Sequence, residues 1–186
     1  MILKPDLFAL TGGPGAGKTA LLLALQARGL VCVAESARAI IREHGGRPPL
    51  PFFANMMLQR DLAHFQVIEG PALFDRTIVD AWATFPTPEG WAAVSEHRYN
   101  PTAFIAPPWR EIYVQDAERD QTWDEAVASY ELCAKAYADA GYVLLELPKT
   151  DVETRAEFVL AHIADQVSTN AFSSTKSPGE AIEPST

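Results

Sequence analysis

Apolar residues in this chain come in short unbroken runs that alternate with longer stretches of helical period. Leu7-Phe8-Ala9-Leu10 is the first run, readable as a buried strand. Ala20 to Arg28 is rich in strong helix formers and closes at Gly29. Leu30 to Ala34 is a second run. Ala37 to His44 then reads as a helix, with Ser36 placed to cap it and Gly45-Gly46 to stop it. Past a rigid loop from Arg47 to Pro51, Phe52 to Glu69 reads as a long helix. Pro71 to Phe74 is a third strand ending in Asp75-Arg76, and Thr77 to Phe85 a helix stopped at Pro86.

The pattern weakens over the next stretch. Trp91 to Tyr99 suggests a short helix, and Asn100 to Pro108 has no period and reads as a loop. Glu111 to Gln115 is predicted as the fourth strand, ending at Asp116, with Ala117 to Gln121 a charged connector. Thr122 and Glu125 form a capping-box pair for a helix that carries Trp123, Ala126, Cys133 and Tyr137 on one face. Tyr142 to Leu147 is the fifth strand. The last helix has Val152, Ala156, Val159 and Ile163 as its stripe, with Thr150 and Glu153 as its expected capping box. From Ser168 the composition turns to Ser, Thr, Pro and Glu, so 1–167 is expected to form one domain and 168–186 a disordered tail.

Five strands alternating with helices predict a three-layer α/β fold with a parallel sheet. Ligands of such sheets bind at the carboxyl ends of the strands. The residues that follow the five strands would therefore meet at one edge, and several carry chemistry. After the first comes Gly12-Gly13-Pro14-Gly15-Ala16-Gly17-Lys18-Thr19, which fits the P-loop pattern, with a strand before it and a helix behind. Its backbone N–H groups and the helix N-terminus suit a phosphate. Lys18 would reach the β- and γ-phosphates, and the Thr19 hydroxyl would hold Mg²⁺. Asp75 stands where the acid of a Walker-B element would hold the same ion; the alternative is an ordinary turn aspartate.

Glu35 follows the second strand and could take the proton from an attacking hydroxyl, or merely support the helix behind it. Arg38 lies one turn beyond and can share its face, on the acceptor side of the site. Arg76 and Arg119 are placed to stabilise phosphoryl charge, with surface ion pairs as the competing reading. Lys149-Thr150-Asp151 after the fifth strand has the spacing of a guanine-binding Lys-x-Asp, but Pro148 stands where Asn or Thr usually leads it, which favours a helix cap; in the guanine reading Lys149 covers the base ring.

Composition narrows the partners. A formal net charge of -9 argues against a broad phosphate-backbone footprint and so against nucleic-acid binding. No apolar run approaches membrane-spanning length and no leader pattern opens the chain, so a cytoplasmic location is expected. Cys32 and Cys133 lack C-x-x-C neighbours and read as core residues, and the four histidines lack metal-ligand spacing.

The P-loop, followed in order by Val33-Ala34-Glu35-Ser36-Ala37-Arg38, Phe74-Asp75-Arg76 with Asp80, Pro107-Pro108-Trp109-Arg110-Glu111-Ile112-Tyr113 and Asp116-Ala117-Glu118-Arg119, resembles a P-loop family labelled "AAA domain". That family includes the ribosylnicotinamide-kinase part of NadR-type enzymes and the TRPL-translocation-defect proteins. The resemblance implies a kinase-like sheet of order 2-3-1-4-5. It implies Lys18 and Thr19 at phosphate and Mg²⁺, Glu35 and Asp75 as the acidic pair, Asp80 near the acceptor, and Arg119 as a lid arginine. Thr77 departs from the glycine common after the Asp-Arg pair, which leaves the backbone there open. The Asp-Glu pair and helical lid domain of AAA+ motors are not evident. The implied function is a small-molecule kinase or related NTPase using Mg-ATP, with GTP as the other nucleotide. Its partner would be a hydroxyl-bearing, nucleoside-like acceptor. The rivals are a nucleotide-dependent switch acting on a protein or lipid, and a bare NTPase.

Overall fold

The computed structural model describes residues 1–114 and 121–174. At its centre lies strand β2 (Leu7–Gly12), buried along its whole length. Leu7 and Ala9 enter one core and Phe8 and Leu10 the other. A strand covered on both faces needs this continuous apolar run, because successive side chains point to opposite sides.

Four more strands complete a parallel sheet: β3 (Val31–Val33), β4 (Ala72–Asp75), β6 (Thr102–Ala106) and β7 (Val143–Glu146). Their order is β3-β4-β2-β6-β7, which among the five sheet strands is 2-3-1-4-5. Leu10 stands opposite Asp75 and Gly12 opposite Ala106, so the P-loop leaves the sheet between the ends of β4 and β6. Two short segments outside the sheet, β1 (Ile2–Leu3) and β5 (His97–Arg98), pair with each other.

Helices cover both faces. α1 (Lys18–Ala27) and α7 (Val152–Ser174) pack on one, through Leu21, Leu25, Val159 and Ile163. The other is covered by α2 (Ser36–Glu43), α3 (Leu50–Val67), α4 (Ile78–Thr84), α5 (Pro88–Glu96) and α6 (Trp123–Asp139). Phe53, Phe65, Ile78, Val94 and Tyr137 fill the space under them.

Four sequence expectations are corrected. The fourth strand is Thr102–Ala106; of the expected Glu111 to Gln115, residues 111–114 form no strand and Gln115 lies outside the described residues. Asn100 to Pro108 lacks a period because its strand is buried on both faces, so no alternation marks it. Pro107 and Pro108 then end the ladder by removing donors, and Arg110–Ile112 is a single 3₁₀ turn. The helix expected from Trp91 starts at Pro88, with the Thr87 hydroxyl accepting from the Gly90 N–H. Asp151, not Thr150, caps the last helix, accepting from the Thr154 N–H at 2.9 Å. That helix also runs past 167 to Ser174, with Ser168 and Thr169 hydroxyls donating back to the Ala164 and Asp165 carbonyls. The rest of the expected tail lies outside the described residues.

Candidate functional site

The P-loop backbone leaves no room for side chains where it turns. Gly12, at φ 122°, lies so close to β6 that a Cβ would strike the Ala106 carbonyl oxygen. Gly15, at φ 75°, lies under the Tyr113 ring, so any larger residue meets both a strained backbone and that ring. The first turn of α1 has no side-chain cap, so its N–H groups are free to meet an anion.

Lys18 is buried and bends back, donating to the Gly12 and Gly13 carbonyls at 3.0 and 2.7 Å. Burial, reinforced by Arg76, pulls its amine below the usual lysine value, against the opposing pull of Asp75 and Glu35. An incoming phosphate would supply the counter-charge it lacks. Thr19 is exposed beside it on the first turn. Asp75 ends β4 with its Oδ1 buried and unpartnered. Burial raises its pKa to about 6, and Lys18 only partly opposes this. An orphaned carboxylate oxygen is costly in a folded protein, and this one belongs to a residue in register with Leu10, two positions before the glycine loop. With the Thr19 hydroxyl, it fits a hard cation such as Mg²⁺.

Arg76 ties the two halves of the site together. Its guanidinium donates to the Gly12 carbonyl at 3.1 Å and to Asp80 Oδ1 at 3.1 Å. Its Nε lies 3.0 Å from Glu35 Oε1, an ion pair whose N–H is out of line for a hydrogen bond. The backbone there adopts φ 67°, unusual for a residue with a side chain, and such conformations cluster where function requires them. Thr77, whose backbone the sequence left open, is extended and caps α4 in a reciprocal box with Asp80. The positive φ sits one residue earlier, on Arg76.

Glu35 also accepts from Arg38 Nε at 3.0 Å. Burial pushes its carboxyl up, but Arg76, Lys18 and Arg38 together outweigh it and hold the group below the ordinary glutamate range. Glu35, not Ser36, occupies the N-cap of α2, and the Ser36 hydroxyl donates to Asp61 instead. Asp80 is buried and saturated by the chain's own donors. Thr11 Oγ1 donates at 2.5 Å and the Tyr137 hydroxyl at 2.7 Å, alongside Arg76 and the Thr77 N–H. It therefore acts on the site through Arg76. Cys133 is core, as expected, and its Sγ lies 3.4 Å from Arg76 Nη1. Cys32 is half-buried. Lys149 is exposed in the loop after β7, and Arg119 falls outside the described residues.

Beside the P-loop lies a cavity of about 610 Å³, lined by Lys18, Glu35, Arg38, Asp61 and Arg76 among others. Asp61 was not anticipated. It sits on the buried stripe of α3 between Met57 and Phe65, and a carboxylate in an apolar stripe is a sequence signal for a built site. Burial raises its pKa to about 7, against the Ser36 hydrogen bond. Arg155, also unanticipated, is buried at the start of α7 and donates to the Ala16 carbonyl at 3.0 Å. Separated from Ala16 by 139 positions, it left no local signal.

Sheet order and P-loop define the class as a P-loop protein of the kinase-like fold. The sequence profile of the AAA domain family matches residues 7–155, and the chain belongs to that family. Comparison with curated protein sequences gave no significant match. Among solved structures, the chain is similar to shikimate kinase from Acinetobacter baumannii in complex with shikimate, at 15% identity and TM-score 0.53, covering 86% of this chain and 93% of that one. Shikimate kinase from Aquifex aeolicus is similar at 12% identity and TM-score 0.54, with 87% and 98% covered. YorR from Bacillus subtilis, in complex with phosphorylated GDP, is similar at 9% identity and TM-score 0.60, also with 87% and 98% covered. At these identities the likeness is one of fold.

Proposed function

We propose that this protein is a phosphotransferase that moves the γ-phosphoryl group of Mg-ATP to a hydroxyl of a small molecule. The observation that carries the reading is the cavity whose wall is shared by Lys18 of the P-loop and by Glu35. A donor clamp opening directly onto a second, side-chain-lined cavity suits a two-substrate transfer; a bare NTPase has no use for the second half. In the switch reading, Asp151 would pair with guanine, but its carboxylate is engaged by Thr154 and Thr150 in capping α7, which weighs against it.

The residues divide the work. The P-loop N–H groups and Lys18 bind the β- and γ-phosphates, and Arg119 and Lys149 are proposed as further nucleotide contacts. Asp75 and Thr19 would hold Mg²⁺, which would neutralise phosphate charge when bound. Glu35, ionised at neutral pH by its arginines, orients the acceptor hydroxyl and receives its proton. The acceptor oxygen bonds to the γ-phosphorus as the bond from that phosphorus to ADP breaks. Arg76 faces the charge spread over the transferring group, and Asp80 and Thr11 hold it there. Arg38 orients Glu35 and lines the acceptor side.

A screen of nucleosides, vitamins and sugars for ADP release tests this, with wild type, Lys18→Ala and Glu35→Gln side by side. Lys18→Ala is expected to lose nucleotide binding or turnover. Glu35→Gln should lose transfer by roughly 100-fold or more while still binding ATP. Turnover retained in Lys18→Ala would sink the mechanism, and unchanged transfer in Glu35→Gln would remove Glu35 as the proton acceptor.

A further inference from the structure

The acceptor cavity is chemically mixed. One part of its wall holds Lys18, Asp61 and Asp80, all buried, and the half-buried Glu35 and Arg76. The exposed Arg42 and Arg47 also line it, together with Phe53 and Met57, a buried apolar floor. In a chain with 24 acidic and 15 basic residues, positive side chains are expected to find carboxylates easily. Among the described residues, however, no carboxylate makes an ion pair or hydrogen bond with either arginine. Glu43, the neighbour best placed for Arg42, is instead gripped by both Arg60 guanidinium nitrogens, at 3.0 and 2.6 Å. Arg38, the third arginine on this wall, is committed to Glu35 through its Nε.

Two further features point the same way. Arg38 and Arg42 are one turn apart on α2, and like charges at that spacing repel one another. Glu35 pairs with Arg38 and Glu43 draws on Arg42 at longer range, but neither carboxylate bonds to Arg42, whose guanidinium an anion near Arg47 would engage. Arg47 lies with its guanidinium carbon 5.7 Å from the Phe53 ring centroid, so its planar fork is held over the apolar floor. An exposed guanidinium over an aromatic ring, with a second on the same wall, matches a planar or apolar body that ends in a phosphate or carboxylate.

We infer that the acceptor is anionic: it places a phosphate or carboxylate on Arg42 and Arg47, lays its body over Phe53 and Met57, and presents its hydroxyl to Glu35. The assignment of the hydroxyl end rests on the phosphotransferase reading above; the anion subsite is tested independently of turnover. A cavity of about 610 Å³ accommodates a ligand of sugar-phosphate or nucleotide size.

The test is calorimetric titration of full-length protein saturated with Mg²⁺ and a non-hydrolysable ATP analogue, so that the P-loop is filled. Two probe series are used: glucose, glucuronate and glucose 6-phosphate, and uridine against UMP. Within at least one series a charged member should bind tenfold or more tightly than the neutral one, with affinity falling as salt rises. An R42A/R47A double variant should lose at least tenfold of that affinity while binding the ATP analogue as the wild type does, which also reports that it is folded. Arg28→Ala, which removes a positive charge outside the cavity, should leave both affinities unchanged. Preference for glucose 6-phosphate over glucuronate assigns a phosphate, and the reverse a carboxylate. Equal binding of charged and neutral members in both series, unaltered anion affinity in R42A/R47A, or no anion binding while the ATP analogue binds would overturn the subsite. Arginine-dependent anion binding with no phosphoryl transfer from ATP to any bound probe would instead overturn the kinase reading and leave the subsite standing.

Discussion

Two buried carboxyls near the site titrate close to neutrality, and the causes differ in detail. Asp75 is raised to about 6 by burial, with Lys18 opposing. Asp61 is raised to about 7 by burial and by the carboxylates of Asp80 and Glu35, with Ser36 and Arg60 opposing. A carboxyl held above its ordinary 3.8 binds its proton more tightly when folded. Its unfolded form therefore gains as pH rises above 3.8, and folding stability declines until about pH 7, then levels off. Asp61→Asn removes this cost. The variant is expected to gain stability over wild type at pH 8, by up to about 4 kcal/mol, and to gain little near pH 4. Urea unfolding of both proteins across that range measures the difference; a gap that does not change with pH would show that Asp61 does not titrate in this way. The position of Asp61 was legible in principle, since it interrupts the apolar stripe of α3, but its meeting with Ser36 was not. Ser36 has the local signature of a helix cap, and only the packing of α2 on α3 turns its hydroxyl inward.

At the scale of elements, the P-loop is held from three sides. β6 presses on Gly12, the Tyr113 ring covers Gly15, and α7 reaches across with Arg155. The last contact carries a test. Arg155→Met keeps much of the volume but loses the charged donor to the Ala16 carbonyl. Nucleotide affinity should fall about tenfold, or roughly 1–2 kcal/mol, with little change in transfer once nucleotide is saturating. Direct binding measurements and the split between KM and kcat decide it; unchanged affinity would reduce Arg155 to a packing residue. Most elements could be read from the sequence because propensity and period agreed, as in α1 and in α6 with its Thr122–Glu125 box. The exception was the fourth strand. Its Thr-Ala-Phe-Ile-Ala run is short and buried on both faces, so it lacks alternation, while Glu111 to Gln115 only mimics it.

For the whole molecule, both cores, the sheet edge and the cavity belong to one folded unit that a nucleotide should stabilise by mass action. At about 100 times its Kd, Mg-ATP is expected to add roughly 2.7 kcal/mol, which for a domain of this size raises the melting temperature by about 5–10 °C. Mg-GTP at the same concentration should give a smaller rise, and Lys18→Ala none. Asp151→Ala should lower the melting temperature by weakening the α7 cap while leaving the ATP-to-GTP ranking unchanged. A larger response to GTP that disappears in Asp151→Ala would favour the switch. No described helix is long and apolar enough to cross a membrane.

The local chemistry was decided within the sequence. A strand, a glycine loop and a helix of strong formers mark the P-loop, because each is set by near neighbours in the chain, although β6, Tyr113 and Arg155 hold it from outside. The parallel sheet followed from the alternation of strands and helices, and with it the expectation that Glu35, Asp75 and Arg76 share an edge. Tertiary structure alone decided what those residues do to one another. Arg76 is clamped between Gly12, Asp80 and Glu35. Arg155 comes from the far end of the chain, and Arg42 and Arg47 face a cavity that forms only when α2 and α3 pack beside the P-loop. Burial, charge pairing and their absence are properties of neighbours in space, and neighbours in space are chosen by the closing of the core.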